Sequence, residues 1–532
     1  MSREFAQAQS TAQASRTGQA GGVGAEVGGV RSSWAGGGID LACLSAQTRA
    51  RLKAQARDSA CTHAGPRSEG HGDGSARAGL TTPEKVRPLQ RTLYRKAKAE
   101  PKYRFWSLYG ELRRRDVLEH ALQRVAANHG GPGVDGQTIE RITANPQTQR
   151  QWLDAVQAER KTKPYRPSPV RRVFIPKRPK GQRPLGIPAV KDRVVQLAVT
   201  LVLRAILEAD FHPRSFGFRP RRNAHQALQE ITRAVREGRT EVRDAERSKY
   251  LDPIPHRVLL RWVARRLSDG SVLRLIKLWL RAPVRAATEG PRRMEPNRSG
   301  TPQGGVLSPL LANLYLHRLD WEVNGKVRGR PVLVRYADDL VIRSQPGQGS
   351  ELLERWRQWL TARGLKLNEE KTRLVDSRKG FNFLGFTGRW PASRIHGRWY
   401  GHVEPSVKSQ PHLRESGRRI LNHWTCWKRT PEAVGELNLL LRGWSGYFHF
   451  LHRSRVMGNL RWWVQRRLRR WLWRQHGCRR ALWSDYPVVQ LYERYGLWSL
   501  PLTAGWTGTT PKLNARDEAS RKAGYGKSVC PV

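Results

Sequence analysis

Acidic residues are the first scarcity in this 532-residue chain: 44 Asp and Glu stand against 97 Lys and Arg, a formal charge of +53. Such an excess makes a compact state repel itself unless a polyanion neutralises it. Nucleic acid fits that demand best, and an anionic membrane surface is the weaker option. Cysteine is also sparse. Cys43, Cys61, Cys426, Cys478 and Cys530 lie far apart, which excludes both a paired zinc spacing and a dense disulfide framework and fits a reducing, intracellular compartment. Long apolar runs are missing as well: the longest, Val194 to Leu203, contains Gln196 and Thr200 between Arg193 and Arg204. It is too short to cross a bilayer and reads as a buried helix. The start has no apolar signal-peptide core, although its acid-poor, Arg- and Ser-containing composition leaves an organelle-targeting reading open.

What is present divides the chain. Residues 1 to about 85 are rich in Gly, Ala, Ser, Arg and Gln with few aromatics, and disorder is expected there. From Val86 a basic stretch with helical spacing of Leu, Phe, Trp, Tyr and Val runs to the breaker "HGGPGVDG". A mixed region follows to about residue 390. Its strand candidates are "VRRVFIP", "TEVRDAE", "PVLVRYA" and "DLVIRS", set among helical stretches from Asp192 to Asp210 and from His256 to Arg281. Beyond it the chain turns helical to about residue 500, with Arg and Trp interleaved as in "LRWWVQRRLRRWLWRQHGCRR", before a tail over 501–532.

The stretch "LVRYADDLVI" sets two adjacent aspartates, Asp338 and Asp339, inside an apolar, strand-forming run. Neighbouring carboxylates repel, and a half-buried pair needs a cation or a solvent-facing turn to compensate it. Alternation of Val332, Val334 and Tyr336 against Leu333 and Arg335 has the period of a strand. A strand, a tight turn and a returning strand would put both carboxylates at a hairpin tip, a place that an ordinary Asp-rich turn would also occupy.

Other stretches keep it company in a fixed order. "FIPKRPKGQRPLGIPAVKDRVVQ", "SFGFRPRRNAHQAL", "GTPQGGVLSPLLANLYLHRLD", "YADDLVI", "GLKLNEEKTRLV" with "FNFLGF", and finally "LNLLLRGWSGYFHF" together resemble the reverse transcriptases encoded by group II introns, which carry a maturase region. The resemblance runs from about Leu89 to Gly496. It implies an α+β fold: a right-hand polymerase with fingers and an antiparallel palm over 86–390, followed by an α-helical thumb and maturase domain over 391–500. No endonuclease domain is expected in the tail.

The resemblance also implies roles. Asp338, Asp339 and a third carboxylate would hold two Mg2+ ions, which prefer hard oxygen ligands. That third position falls on Glu246, where the family has Asp, and Leu251 stands where the family has a sugar-gating aromatic. Glu moves its carboxylate by about an ångström, which can cost on the order of 10²-fold in rate. Asp244 lies two residues earlier, about 6.6 Å along a strand, too far simply to substitute. Lys177 and Arg183 would contact the incoming triphosphate, and Gln303 with Gly304 the base pair or template. Lys371 would approach the primer, although beside Glu369 and Glu370 it reads equally as a surface ion pair. Among the interleaved Arg and Trp residues, Arg442, Trp444, Arg466, Arg467 and Arg470 are candidates for RNA contact, with some tryptophans reserved for the core. Helical spacing places Trp463, Arg467, Arg470 and Arg474 on one face and Trp462 on another. The implied partners are the intron RNA, a DNA target that serves as primer, and dNTPs, without a membrane. The implied location is the bacterial cytoplasm, at the nucleoid when DNA is bound. An RNA-binding splicing maturase with a degenerate polymerase site is the alternative.

Overall fold

The computed structural model describes residues 86–162, 165–176, 181–237, 239, 241–245, 253–285, 294–325, 331–363, 373–376, 380–391, 400–477 and 485–502. The segment 1–85, most of the tail, and Lys177, Glu246, Leu251 and Lys371 lie outside the described residues.

Apolar character on every side decides which helix is central. The Val190–Glu208 helix buries Val194, Val195, Ala198, Val199, Leu201, Val202 and Leu203, as a helix without a polar face must. Helices Val86–Ala99 and Arg115–Ala127 pack on it. The basic stretch from Val86 is interrupted where Pro101 follows the first helix, and helix resumes at Tyr109. Likewise the stretch expected as one helix from His256 to Arg281 is two, His256–Ala264 and Gly270–Arg281. Asp269 makes the break: one carboxylate oxygen accepts from the Ser271 and Val272 N–H groups, and the other accepts from the N–H groups of Leu108 and Tyr109 at 2.8 Å each.

In chain order the strands are β1 (Val170–Pro176), β2 (Gln182–Ile187), β3 (Glu241–Ala245), β4 (Val284–Arg285), β5 (Met294–Glu295), β6 (Val332–Tyr336), β7 (Asp339–Ser344), β8 (Arg373–Asp376), β9 (Phe381–Phe383), β10 (Phe386–Arg389) and β11 (His402–Pro405). They form three sheets, ordered β2-β1-β4-β5, β6-β7-β3-β8 and β11-β10-β9. The second sheet is antiparallel throughout, with β3 inserted between β7 and β8. Its residues alternate between two cores as the period of two requires. Val332, Val334, Val341 and Val242 meet helix Ala224–Arg236 and the β9–β11 sheet. Leu333, Leu340 and Ile342 face the larger core that includes helices Ser308–Asn324 and Gly349–Thr361.

The C-terminal region is helical: Gln410–Ile420, Thr430–Phe448, Ser454–Gln475 and Val488–Glu493 share one core. Aromatic contacts fasten it to the sheets. The His225 ring stacks on Phe450 at 4.3 Å and donates through Nε2–H to the Tyr447 carbonyl at 2.7 Å, while the Tyr447 hydroxyl donates to the Leu384 carbonyl at 2.9 Å. The tryptophans range from core to surface. Trp471 is 2% exposed, and its indole N–H donates to Thr425 Oγ1 at 3.1 Å. Trp424 and Trp427 are 76% and 78% exposed.

This sorting has a thermodynamic consequence. Trp471→Ala is expected to destabilise the protein by about 3–5 kcal/mol through the cavity it leaves, whereas Trp427→Ala changes stability by less than about 0.5 kcal/mol. Denaturant titration followed by circular dichroism checks the pair, and equal effects would contradict the assignment.

Candidate active site

The turn between β6 and β7 contains Ala337 and Asp338, with Tyr336 paired opposite Asp339. One of the two expected turn carboxylates therefore opens β7 instead. Positive φ at Ala337 (58°) and not at Asp338 is the pattern of a type II′ turn, which normally asks for glycine first. Left-handed alanine costs on the order of 1 kcal/mol or more. The surroundings enforce it. Gly217 lies so close that a Cβ there would come within 2.2 Å of the Ala337 nitrogen, so only glycine permits this approach.

Beneath the tip lies Arg335, fully buried. Its guanidinium donates to both carboxylate oxygens of Asp320 at 2.6–3.1 Å, to Asn313 Oδ1 at 2.7 Å, to Ser215 Oγ at 2.6 Å and to the Ala337 carbonyl at 3.2 Å. Asn313 in turn donates to the Gly217 carbonyl at 2.8 Å. The same segment flanks β6 through its backbone. The Phe216 N–H donates to the Arg335 carbonyl at 2.8 Å, and the Arg335 N–H to that of Arg214 at 3.0 Å. Asn324 covers the next part of that edge: its Oδ1 accepts from the Leu333 N–H and its Nδ2 donates to the Leu333 carbonyl, each at 3.1 Å. Nearby, His212 Nδ1 accepts from the Arg214 N–H at 3.1 Å, and burial depresses its pKa to about 4, so the ring is neutral at pH 7.

Asp338 is exposed and Asp339 half-buried. Asp339 also acts on its surroundings: burial first, then its charge, raises the Tyr336 pKa. Burial, then Tyr336 and Asp339, raise that of Tyr447, which brings the C-terminal helical region up to the tip. Oxygen-only donors at an exposed tip suit a hard divalent cation. Among the described residues no group of three or more His, Cys, Asp or Glu side chains gathers into a full cage. β3 runs beside β7 with Ala245 opposite Leu340 as the last pair, and Glu246 is the next residue in the chain.

A second group of expected residues also comes together. Arg183 Nε donates to Gln303 Oε1 at 3.0 Å, and the Gly186 N–H donates to the Gln303 carbonyl at 2.6 Å. Gly304 has φ 106°, and a Cβ there would lie 2.2 Å from the Gly186 carbonyl oxygen, so the loop can lie against β2 only as glycine.

In the helical region Arg442, Arg466 and Arg470 are exposed and Arg467 is half-buried. Arg442 lies over Trp498 at 4.5 Å and Arg466 over Trp462 at 5.2 Å. On the face expected from spacing, Arg470 and Arg474 are exposed and Trp463 and Arg467 half-buried, with Trp462 and Arg466 exposed beside it. Burial depresses the Arg467 pKa, and Arg474, Arg418 and Arg470 add to this. Trp444 belongs to the core: it is 9% exposed and stacked on Phe448 at 4.5 Å, so its ring offers no open face. Two arginines of the interleaved run are buried staples. Arg461 donates to the Leu500 carbonyl at 2.8 Å and Arg469 to that of Tyr486 at 2.7 Å.

Comparison with known proteins fixes the class. Residues 175–388 match the reverse transcriptase (RNA-dependent DNA polymerase) family, and residues 414–486 match the maturase-specific domain of group II introns. Protein YkfC of Escherichia coli is 32% identical over 56% of this chain and 87% of its own length. The group II intron-encoded protein LtrA of Lactococcus lactis is 36% identical over 41% of this chain and 35% of its own. An uncharacterized 91 kDa protein in the cob intron of Schizosaccharomyces pombe is 26% identical over 64% and 50% respectively. The chain thus spans most of YkfC and about a third to a half of the other two. It belongs to the group II intron-encoded reverse transcriptases and maturases, α+β proteins that join an RNA-directed DNA polymerase to a maturase domain.

The buried pair under the tip makes a specific prediction. Arg335→Met leaves Asp320 buried without its partner and is expected to cost about 3–5 kcal/mol. Adding Asp320→Leu should recover at least half of that loss, as read from denaturation midpoints. Equal instability of the single and double variants would contradict a specific pair.

Proposed function

We propose that this protein copies RNA into DNA at the β6–β7 tip and uses its helical C-terminal domain to hold its intron RNA in the splicing-competent fold. The observation that carries the polymerase half is the pair Asp338 and Asp339 on a hairpin braced from below by Arg335. In this reading 86–390 forms fingers and palm and 391–500 the thumb and maturase domain, preceded by a low-complexity segment over 1–85.

Asp338, Asp339 and Glu246 would hold two Mg2+ ions, which supply a deprotonated primer hydroxyl and charge neutralisation at the leaving pyrophosphate. The protein's own groups do the positioning. Arg183, with Lys177, grips the triphosphate of a dNTP, and its link to Gln303 ties that grip to the loop on which Gly304 lets the base pair approach. Leu251 leaves more room at the sugar than an aromatic would, and Lys371 lies near the primer. Arg442, Arg466, Arg467 and Arg470 meet RNA phosphates, which arginine suits by its fork of donors. Preferential affinity for the folded RNA is the whole of the splicing effect. A nicked DNA target provides the primer, and the work is done in a bacterial cytoplasm at the nucleoid. No described helix is long and apolar enough to cross a membrane.

Glu246 in place of aspartate favours a second reading, a splicing maturase whose polymerase site has weakened. Primer extension on an RNA template, run beside a splicing assay, separates the two. Asp338→Ala or Asp339→Ala is expected to lower extension on the order of 10³-fold and to leave assisted splicing intact. Efficient extension by the native protein removes the second reading. A large gain with Glu246→Asp supports it, and extension unaffected by loss of either aspartate would contradict the polymerase site.

A further inference from the structure

Three arginines crowd together on a surface that neither the hairpin tip nor the C-terminal helices use. Arg265 and Arg318 are exposed, and both lie over the Trp262 ring, at 5.6 and 5.1 Å. Arg363 lies over Trp359 at 3.9 Å. Burial and then the charges of Arg265 and Arg363 depress the Arg318 pKa, with Glu322 opposing them. Like charges gathered this way are costly without a counter-anion. The surface is concave: Trp262, Arg265, Arg318, Lys98, His317 and Trp321 line an open cleft of about 390 Å³.

The acids nearby offset it only in part: Asp210 lines the cleft and acts on the charge of Lys98, and Glu322 acts on that of Arg318. Asp210 is paired with Arg266 at 3.0 Å. Arg266 is itself consumed in holding the Ala97 and Pro101 carbonyls at 2.7 and 2.6 Å. Asp320 is taken by Arg335 on the other side of its helix. Glu322 makes no ion pair among the described residues with Arg318. Residues two apart on a helix point about 200° from one another, so Arg318 faces away from the network that Asp320 serves. The cleft is therefore separate from the polymerase tip.

We propose that this cleft is a second docking surface for RNA, which grips the phosphate backbone of the intron with Arg265, Arg318 and Lys98. The inference rests on the reading that the protein binds its intron RNA, and adds a site lined by no residue of the maturase helices. The charges select backbone as the occupant: Trp262 is 9% exposed with two guanidiniums over its ring, so that ring offers no face to a base, and Trp321, 42% exposed, is anchored edge to face with His212 and by its indole N–H on the Asp210 carbonyl at 2.8 Å. Guanidinium held against an aromatic ring keeps its donors free for phosphate oxygens.

The test uses the full chain carrying Arg265→Gln and Arg318→Gln together. Both side chains are exposed, and circular dichroism checks the fold. Affinity for the intron RNA and for a DNA duplex of equal length is measured across a salt series, beside primer extension on a short template. The expected result is about tenfold weaker RNA binding, a salt slope shallower by about 1–2, and extension unchanged within twofold. Unchanged RNA affinity and slope in the variant, with native binding intact, would overturn the cleft alone, and so would a loss on the DNA duplex that the intron RNA does not share. Failure of the native protein to bind its intron RNA would overturn the cleft together with the reading it rests on.

Discussion

The ion pair between Arg335 and Asp320 is the interaction on which the catalytic end of this structure depends. Removing two charges from water is expensive, and the attraction between them offsets that expense only when geometry is good and the remaining donors and acceptors are satisfied. Here every nitrogen of the guanidinium has a partner. Those partners come from three places: the Ser308–Asn324 helix, the loop that carries Ser215, and the hairpin turn itself. A single buried side chain thus fixes where the turn lies relative to two other parts of the chain.

That constraint explains the strain above it. Ala337 adopts a conformation suited to glycine, while true glycine stands across from it at Gly217, where the backbones meet. The cost of the left-handed alanine is met by the contacts around it, and the turn gains a fixed direction for Asp338 and Asp339. Strain held in place by surrounding structure is common where function needs one geometry. The aromatic cluster of His225, Phe386, Tyr447 and Phe450 extends the same bracing to the C-terminal domain, so the parts proposed to bind RNA and to copy it share a frame.

Much of this was legible in the sequence, for identifiable reasons. Three of the four strands of the β6-β7-β3-β8 sheet lie in stretches read as strands, β6 by its period-two alternation, whereas β8 does not; Arg183 and Gln303 stand out only through the resemblance, and their contact was not expected. Arg335 was not legible, because within "LVRYADD" it occupies the position of an inward residue and reads as an interruption of the pattern. Its partners Ser215, Asn313 and Asp320 are scattered over more than a hundred positions of chain. The signal that could have found it is the coincidence of a charged residue at a core-facing strand position with a helix bearing Asn313, Asp320 and Asn324 among leucines. Trp444 shows the converse limit. Composition marks a basic, aromatic-rich region as a nucleic-acid surface, but cannot say which rings are spent on the core, and the same holds for Arg461 and Arg469.

In the function proposed, a braced, strained turn aims two carboxylates so that they join a third around divalent cations. Anomalous diffraction from Mn2+ in crystals of the full chain with RNA template, DNA primer and a dNTP would locate those cations. Two Mn2+ peaks enclosed by Asp338, Asp339 and Glu246 are the predicted result. Metal bound elsewhere, or Glu246 turned away from the turn with no peak between, would contradict it.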